Sequence, residues 1–394
     1  MITLIPGGVY LYNGTQIVLP TDSPAQEHSN QFNTDAYKAT MAYQIMMNHQ
    51  TADGDTTLRI KFDALTSHDI TYVGIIQTAI ASGLDKFPIP YVLTNCHNTL
   101  AAVGGTINED DHVFGLSAVK HFGGIYVPPH LAVIHQYMRE TMAGCGKMIL
   151  GSDSHTRYGA LGTMAIGEGG PELVKQLLGR TYDIQRPKVI AIYLEGSPRH
   201  GVGPQDVALA IEKAVFQNGF VKNCVMEFVG PGIASLSQDF RNGIDVMTTE
   251  TTCLSTIWRT DDITKQFLTI HDRPNDYKEL NPGTVAYYDG MVKVDLTKVE
   301  NMIAMPFHPS NVYTIKELNE GGKELLAHIE HEAVEKLDNK NLRLQLPEKY
   351  FDGKVHVDQG IIVGCSGGLY ENIVAAANIV GGKSVGNDRF AFSL

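Results

Sequence analysis

Short apolar runs alternate with polar, glycine-rich turns along the chain, and the spacing of the apolar positions changes from run to run. Residues 148–150 (Met-Ile-Leu) read as the end of a buried strand, Gly151 breaks the pattern, and helical spacing resumes to predict a helix over 171–178. The same spacing predicts strands over 58–62, 89–93, 189–194, 226–229, 287–296 and 355–363. It predicts helices over 35–48, 70–83, 129–142, 206–215, 318–337 and 369–380, with Pro129 placed at a helix start. Asn13-Gly14 between residues 9–12 and 15–19 is a hairpin turn signal, and residues 63–69 read as a loop. Strands alternating with helices predict an α/β fold.

Polar clusters follow two of the strands. Asn95-Cys96-His97-Asn98 ends the 89–93 run, and Asp153-Ser154-His155-Thr156 ends the 148–150 run. In open α/β sheets the carboxyl ends of strands are where ligands bind, so position and residue type point the same way. His135 lies beside the apolar stripe of the 129–142 helix. Cys365 sits between a strand and a helix, where backbone amides would stabilise a thiolate able to bind iron. Taken singly, each has a plainer reading: a capped turn for 153–155, a core histidine for His135, a surface carboxylate for Glu250, an inert thiol for Cys365. Gly201-Val202-Gly203 lacks the rest of a dinucleotide loop, since Pro204 and Asp206 follow; a helix-opening turn is the better reading. His328 and His331 share a helix face without a local carboxylate ligand set, which reads as a solvated face.

Composition narrows the function classes. At 394 residues, with 43% hydrophobic and 19% charged positions, the chain is long enough for two or three cores. No run approaches the about 18 apolar residues of a membrane span, so no membrane partner is expected. A formal charge of -12 disfavours nucleic acid as a partner. Five scattered cysteines make no disulfide framework, and with no signal peptide visible a cytoplasmic location is expected.

The stations recur together in one order: Ile134-His135-Gln136, Asp153-Ser154-His155-Thr156, Gly230-Pro231-Gly232, Glu250, Pro306-Phe307-His308-Pro309 and Gly364-Cys365-Ser366, with Tyr370-Glu371 beyond. In this series the chain resembles the aconitase superfamily of hydro-lyases over nearly its whole length. The resemblance implies aconitase-like three-layer α/β domains over 1–187, 188–300 and 301–394, the third incomplete and the mobile fourth absent. It implies a hydratase acting on a hydroxy-di- or tricarboxylate through a 4Fe-4S cluster whose open iron is a Lewis acid. Carried over, His97, His135, Asp153, His155 and Glu250 are the catalytic residues, with Asp153 paired to His135 and Glu250 to His155. His68 and Ser154 are the substrate contacts, and Cys365 is the cluster ligand.

Departures from that pattern gather at the same stations. Cys96 precedes His97 where the family has an aspartate, so the acid expected to orient and charge His97 is missing. His68 stands where the family has glutamine, Ser366-Gly367 replace Thr-Asn, and no Cys-x-x-C follows to supply the other two cluster thiolates. The expectation is therefore an amino-terminal part of a hydratase whose cluster needs the complete protein, with a remaining carboxyl-terminal domain or small subunit as partner. The alternatives are a non-catalytic aconitase-like binding or structural module, and a mononuclear metal hydrolase built on Asp153, His155 and His135.

Overall fold

A computed structural model describes residues 1–101, 106–364, 366–384 and 390–393. Its first sheet has five strands, all parallel, in the spatial order Ile125–Val127, Tyr91–Thr94, Ala64–His68, Met148–Gly151 and Met164–Gly167. In chain order this is 3-2-1-4-5, so the winding reverses between Ala64–His68 and Met148–Gly151. Such a reversal opens a crevice at the carboxyl ends of the two strands. His68 ends one of them, and Asp153 lies just past the other.

Each face of this sheet is covered. Leu65, Leu93, Leu150 and Ile166 pack with Tyr72, Ile75 and Ile76 of helix Tyr72–Ala81 and Leu173 of helix Gly170–Leu177. The alternate residues Ala64, Val92, Ile149 and Ala165 pack with Ile134 and Met138 of helix Ile134–Thr141. Period-two alternation along every strand thus sorts the side chains into two helix-covered layers, the three-layer α/β architecture expected.

The second sheet runs Ser255–Trp258, Val225–Val229, Val189–Glu195, Val285–Asp295, Ile2–Tyr12 and Gln16–Val18. The first four strands are parallel, and the amino-terminal hairpin closes the edge antiparallel to Val285–Asp295. The hairpin therefore completes the second sheet although it opens the chain. Phe228 and Trp258 stack in its core with centroids 3.9 Å apart. Among the described residues no helix is long and apolar enough to cross a membrane.

Several local expectations need correction. Residues 63–69 are no loop: Ala64–His68 is the central strand, fully buried. Its polar composition hid it; Ser67 is paired, with Tyr91 donating to its Oγ at 2.7 Å and Thr94 Oγ1 to its carbonyl at 3.2 Å, while Thr66 Oγ1 and His68 Nδ1 have no hydrogen-bond partner among the described residues. Helix Ile107–Phe122 was not expected, because its buried face is Asn108, His112, Gly115 and Ala118, which no apolar periodicity detects. The 129–142 helix starts at Ile134, since His130 takes φ 67° and the turn before it is not helical. The 355–363 strand is reduced to Lys354–Val355 and Gln359–Ile361. Helix Pro204–Val215 forms as expected, with Asp206 Oδ2 accepting from the Gly203 amide at 2.8 Å. His328 and His331 do have local carboxylate partners, contrary to expectation, lying 3.5 and 3.4 Å from Glu332 and Glu335 one helical turn on; both histidines are exposed, so the face is solvated.

Candidate active site

The crevice at the winding reversal gathers side chains from four segments. His68 ends the central strand, His97 follows Tyr91–Thr94, His135 is on the first turn of helix Ile134–Thr141, and Asp153, Ser154 and His155 follow Met148–Gly151. Asp153 is the hub. Its Oδ1 is 3.1 Å from His135 Nε2 and accepts the His155 amide at 2.7 Å, while its Oδ2 faces His97 Nε2 at 3.4 Å and His68 Nε2 at 3.7 Å. Burial alone would raise the Asp153 carboxyl, but the contacts with His135 and His97 outweigh it and hold the group well below the usual carboxylate range.

The histidines divide by environment. Burial drives His68 down to about 4, reinforced by the neighbouring His97, so its ring is neutral at pH 7. Burial also lowers His135, against the opposing pull of Asp153; its Nδ1 meets the Tyr158 hydroxyl at 3.2 Å. His97 moves the other way, raised first by Asp153 and then by Cys96. The rings of His68 and His97 lie 3.9 Å apart, tilted by 36°.

A second pair stands beside the hub. His155 Nε2 lies 3.3 Å from Glu250 Oε1, and His155 in turn holds the Glu250 carboxyl below its ordinary range. Glu250 sits in the short helical turn Thr248–Thr251, which ends on Thr252 at φ 62°. Thr249 Oγ1 donates to the Ser154 carbonyl at 2.8 Å, tying this turn to the 153–155 turn. Arg157 bonds the Cys253 carbonyl at 3.0 Å and fastens the two segments again. Ser154 is exposed, with Oγ 3.3 Å from His155 Nδ1.

The acid expected to be missing beside His97 is supplied from elsewhere in the fold. Asp153 serves its Nε2 side, and Asp69 lies 3.9 Å from its Nδ1. Asp69, 1% exposed, accepts the His97 and Asn98 amides at 3.0 and 2.8 Å and faces His112 Nε2 at 3.1 Å. Sequence reasoning missed both Asp69 and His112. The His68-Asp69 doublet was the available signal, hidden by reading its strand as a loop.

Thus His68, His97, His135, Asp153, Ser154, His155 and Glu250 converge. Cys365 lies outside the described residues; its neighbour Ser366 offers its carbonyl to Arg139 Nη1 at 2.8 Å, on the helix that carries His135. The Gly230-Pro231-Gly232 turn acts through its backbone: Gly230 has φ 97°, and a Cβ there would come within 2.5 Å of the Leu194 carbonyl.

A 4Fe-4S cluster needs three thiolates, and the described cysteines do not fit that demand. Cys145, Cys224 and Cys253 donate to the carbonyls of Leu161, Lys222 and Thr248, and burial raises the Cys145 thiol and pushes Cys224 up to about 11. Of the four, Cys96 alone borders the histidine centre, 3.4 Å from His97 Nδ1.

A doubly wound α/β protein with a histidine–carboxylate centre at the carboxyl ends of parallel strands is the class that fold and geometry define. The model of the aconitase family (aconitate hydratase) matches residues 43–392, and the chain belongs to that family. It is 28% identical over 342 residues to the mitochondrial aconitate hydratase of Aspergillus fumigatus, covering 83% of this chain and 40% of the relative. The mitochondrial aconitate hydratase of Schizosaccharomyces pombe is 26% identical over 294 residues, 71% of this chain and 37% of the relative. An aconitase–ribosomal protein bL21m fusion protein of the same yeast is 25% identical over 346 residues, 83% of this chain and 35% of the relative. The chain thus spans about two fifths of the length of the curated relatives it matches.

Proposed function

We propose that the chain carries the proton-handling wall of a hydro-lyase that removes water from, and returns it to, a hydroxy-di- or tricarboxylate. On this reading 1–187, 188–300 and 301–394 are aconitase-like domains of an amino-terminal part, and a carboxyl-terminal domain or small subunit is the partner. The observation that supports it most is the juxtaposition of two acid–base sets that meet at His155: Asp153 with His68, His97 and His135, and Glu250 with His155, whose amide Asp153 also holds.

Dehydration breaks two bonds: the proton on the adjacent carbon leaves to a base of the remaining carboxyl-terminal part, its electron pair forms the double bond, and the C–O bond breaks as the oxygen receives a proton, because hydroxide is a poor leaving group. His155 gives that proton from the face held by Glu250, and Glu250 remains a carboxylate that stabilises the imidazolium. His97, kept charged by Asp153, donates a hydrogen bond to the same substrate oxygen, and Ser154 bonds a substrate carboxylate. His135 locks Asp153 in place from the buried side. In the reverse direction each proton retraces its path.

A 4Fe-4S cluster enters this reading only in the complete protein, with thiolates besides the four described here; the steps above use side chains alone. A second reading, a non-catalytic binding module, is favoured by the three thiols engaged with backbone carbonyls. The test is the ultraviolet absorbance of the conjugated product formed by the complete protein. Glu250→Gln is expected to lower kcat by about 100-fold or more while leaving KM within a small factor. An unchanged kcat overturns the acid–base assignment, and substrate binding without turnover by the unaltered protein supports the module.

A further inference from the structure

Cys96 and His97 are neighbours in sequence and in space, and their geometry is that of a nucleophile with its base. Cys96 Sγ lies 3.4 Å from His97 Nδ1, within reach of a hydrogen bond to sulfur. The opposite ring nitrogen, Nε2, faces Asp153 Oδ2 at 3.4 Å. Thiol, imidazole and carboxylate are thus joined through the two nitrogens of one ring. A set of this kind is recognised by geometry and roles, whatever the order of its members in the chain.

The other groups around the pair leave it free for this role. Asp69 is the rival for Nδ1, at 3.9 Å, but its oxygens already accept the His97 and Asn98 amides and face His112. Thr94 Oγ1 lies 3.6 Å from Sγ and donates to the Ser67 carbonyl. The ring of His68, 3.9 Å from that of His97, is neutral, and burial keeps the Tyr158 hydroxyl protonated. The cation facing the sulfur is therefore His97, raised to about 10 by Asp153 and then by Cys96 itself. A thiol beside an imidazolium is the more reactive nucleophile at neutral pH.

Access separates this cysteine from the others described. Cys145, Cys224 and Cys253 donate to backbone carbonyls, and the last two are buried. Cys96 is half-buried, and the His97 side chain beside it is 36% exposed, so the pair opens to the crevice. We propose that Cys96, served by His97 and Asp153, is a nucleophile that adds covalently to α,β-unsaturated carboxylic acids entering this crevice.

That class of acid is what dehydration of a hydroxy-polycarboxylate yields, so the electrophile rests on the hydro-lyase reading, whereas the nucleophile does not. In the addition a sulfur electron pair forms a C–S bond at the carbon β to one carboxylate. The π pair of the double bond moves to the neighbouring carbon, which takes a proton from His97 Nδ1. No group leaves, and no oxidant, reductant or third reactant is needed. The thioether then occupies the crevice, so an accumulating unsaturated acid switches the centre off.

The experiment incubates the protein with maleate and with fumarate and reads intact mass and peptide maps. A single adduct is expected at Cys96, heavier by the whole mass of the acid, with Cys145, Cys224 and Cys253 unmodified. Iodoacetamide reports the nucleophile alone. Its labelling of Cys96 should change by less than about fivefold between pH 8 and 6, where an unassisted thiol slows by roughly 50–100-fold as its thiolate fraction falls. This profile needs no variant. His97→Gln should restore the steep profile and slow labelling at pH 6 by about 10-fold. A steep profile in the unaltered protein, or labelling indifferent to His97→Gln, overturns the proposal. An adduct at Cys96 without water addition to any acid overturns the hydro-lyase reading and leaves the nucleophile standing. Water addition with no adduct from either acid overturns the proposal and leaves the hydro-lyase reading.

Discussion

Glu212 gives a prediction whose size follows from its surroundings. It lies in helix Pro204–Val215 at 1% exposure, and neither carboxylate oxygen has a hydrogen-bond partner among the described residues. Burial, and then repulsion from Glu250, push its pKa from 4.5 up to about 8. At neutral pH it therefore keeps its proton, which leaves Glu250 as the charged partner of His155. Because the folded-state pKa is raised, the folded chain holds a proton that the unfolded chain has released between pH 4.5 and 8, and stability falls as pH rises through that window. At 1.36 kcal/mol per pH unit, the cost is about 3 kcal/mol at pH 7 and about 5 kcal/mol above pH 8. Glu212→Gln mimics the protonated acid in shape and cannot ionise. Urea unfolding of both proteins at several pH values should show a gain for the variant that is below about 1 kcal/mol at pH 5 and grows to several kcal/mol at pH 8. A difference that stays constant with pH would refute the claim that this carboxyl is buried without compensation.

Other perturbations test how the scaffold holds the centre. Arg241 is fully buried, grips Asp261 through two bonds of 2.8 and 2.7 Å and donates to the Ile233 carbonyl beyond the Gly230 turn. Arg241→Met should cost about 3–5 kcal/mol in urea unfolding by stranding the Asp261 charge. Gly230→Ala forces a Cβ against the Leu194 carbonyl at φ 97°, and thermal melting should show a loss of about 3 kcal/mol or more. Tyr72→Phe removes the hydroxyl that bonds Asn95 Oδ1 at 2.6 Å and the Asp111 carbonyl at 2.9 Å. It should cost about 1–3 kcal/mol and speed amide exchange in the loop that carries His97.

The sequence was most legible where burial and periodicity agree. Ile149 and Leu150 are fully buried, and Val189–Glu195 is buried along nearly its whole length, so apolar runs identified those strands directly. Legibility failed where the core is made of polar or small side chains. Thr66, Ser67 and His68 carry the central strand, and Gly115 fits against the Tyr72 hydroxyl because it has no Cβ. Hydropathy cannot distinguish such positions from loops. The candidate centre was legible only as a series of motifs. That His135 and Asp153 lie 3.1 Å apart is a product of strand order, which no local pattern encodes. Asp69 and His112 are 43 positions apart and meet across a helix and a strand end; their pairing needed the fold.

The most direct test of the central claim is transfer of oxygen from solvent. The complete protein is incubated in heavy-oxygen water with cis-aconitate and with unsaturated dicarboxylates, and the product hydroxyl is read by mass spectrometry. The account predicts heavy oxygen at the new hydroxyl of at least one of these acids, strongly reduced in the Glu250→Gln variant. An unlabelled product pool from every acid, with the acids bound and the protein folded, would contradict it.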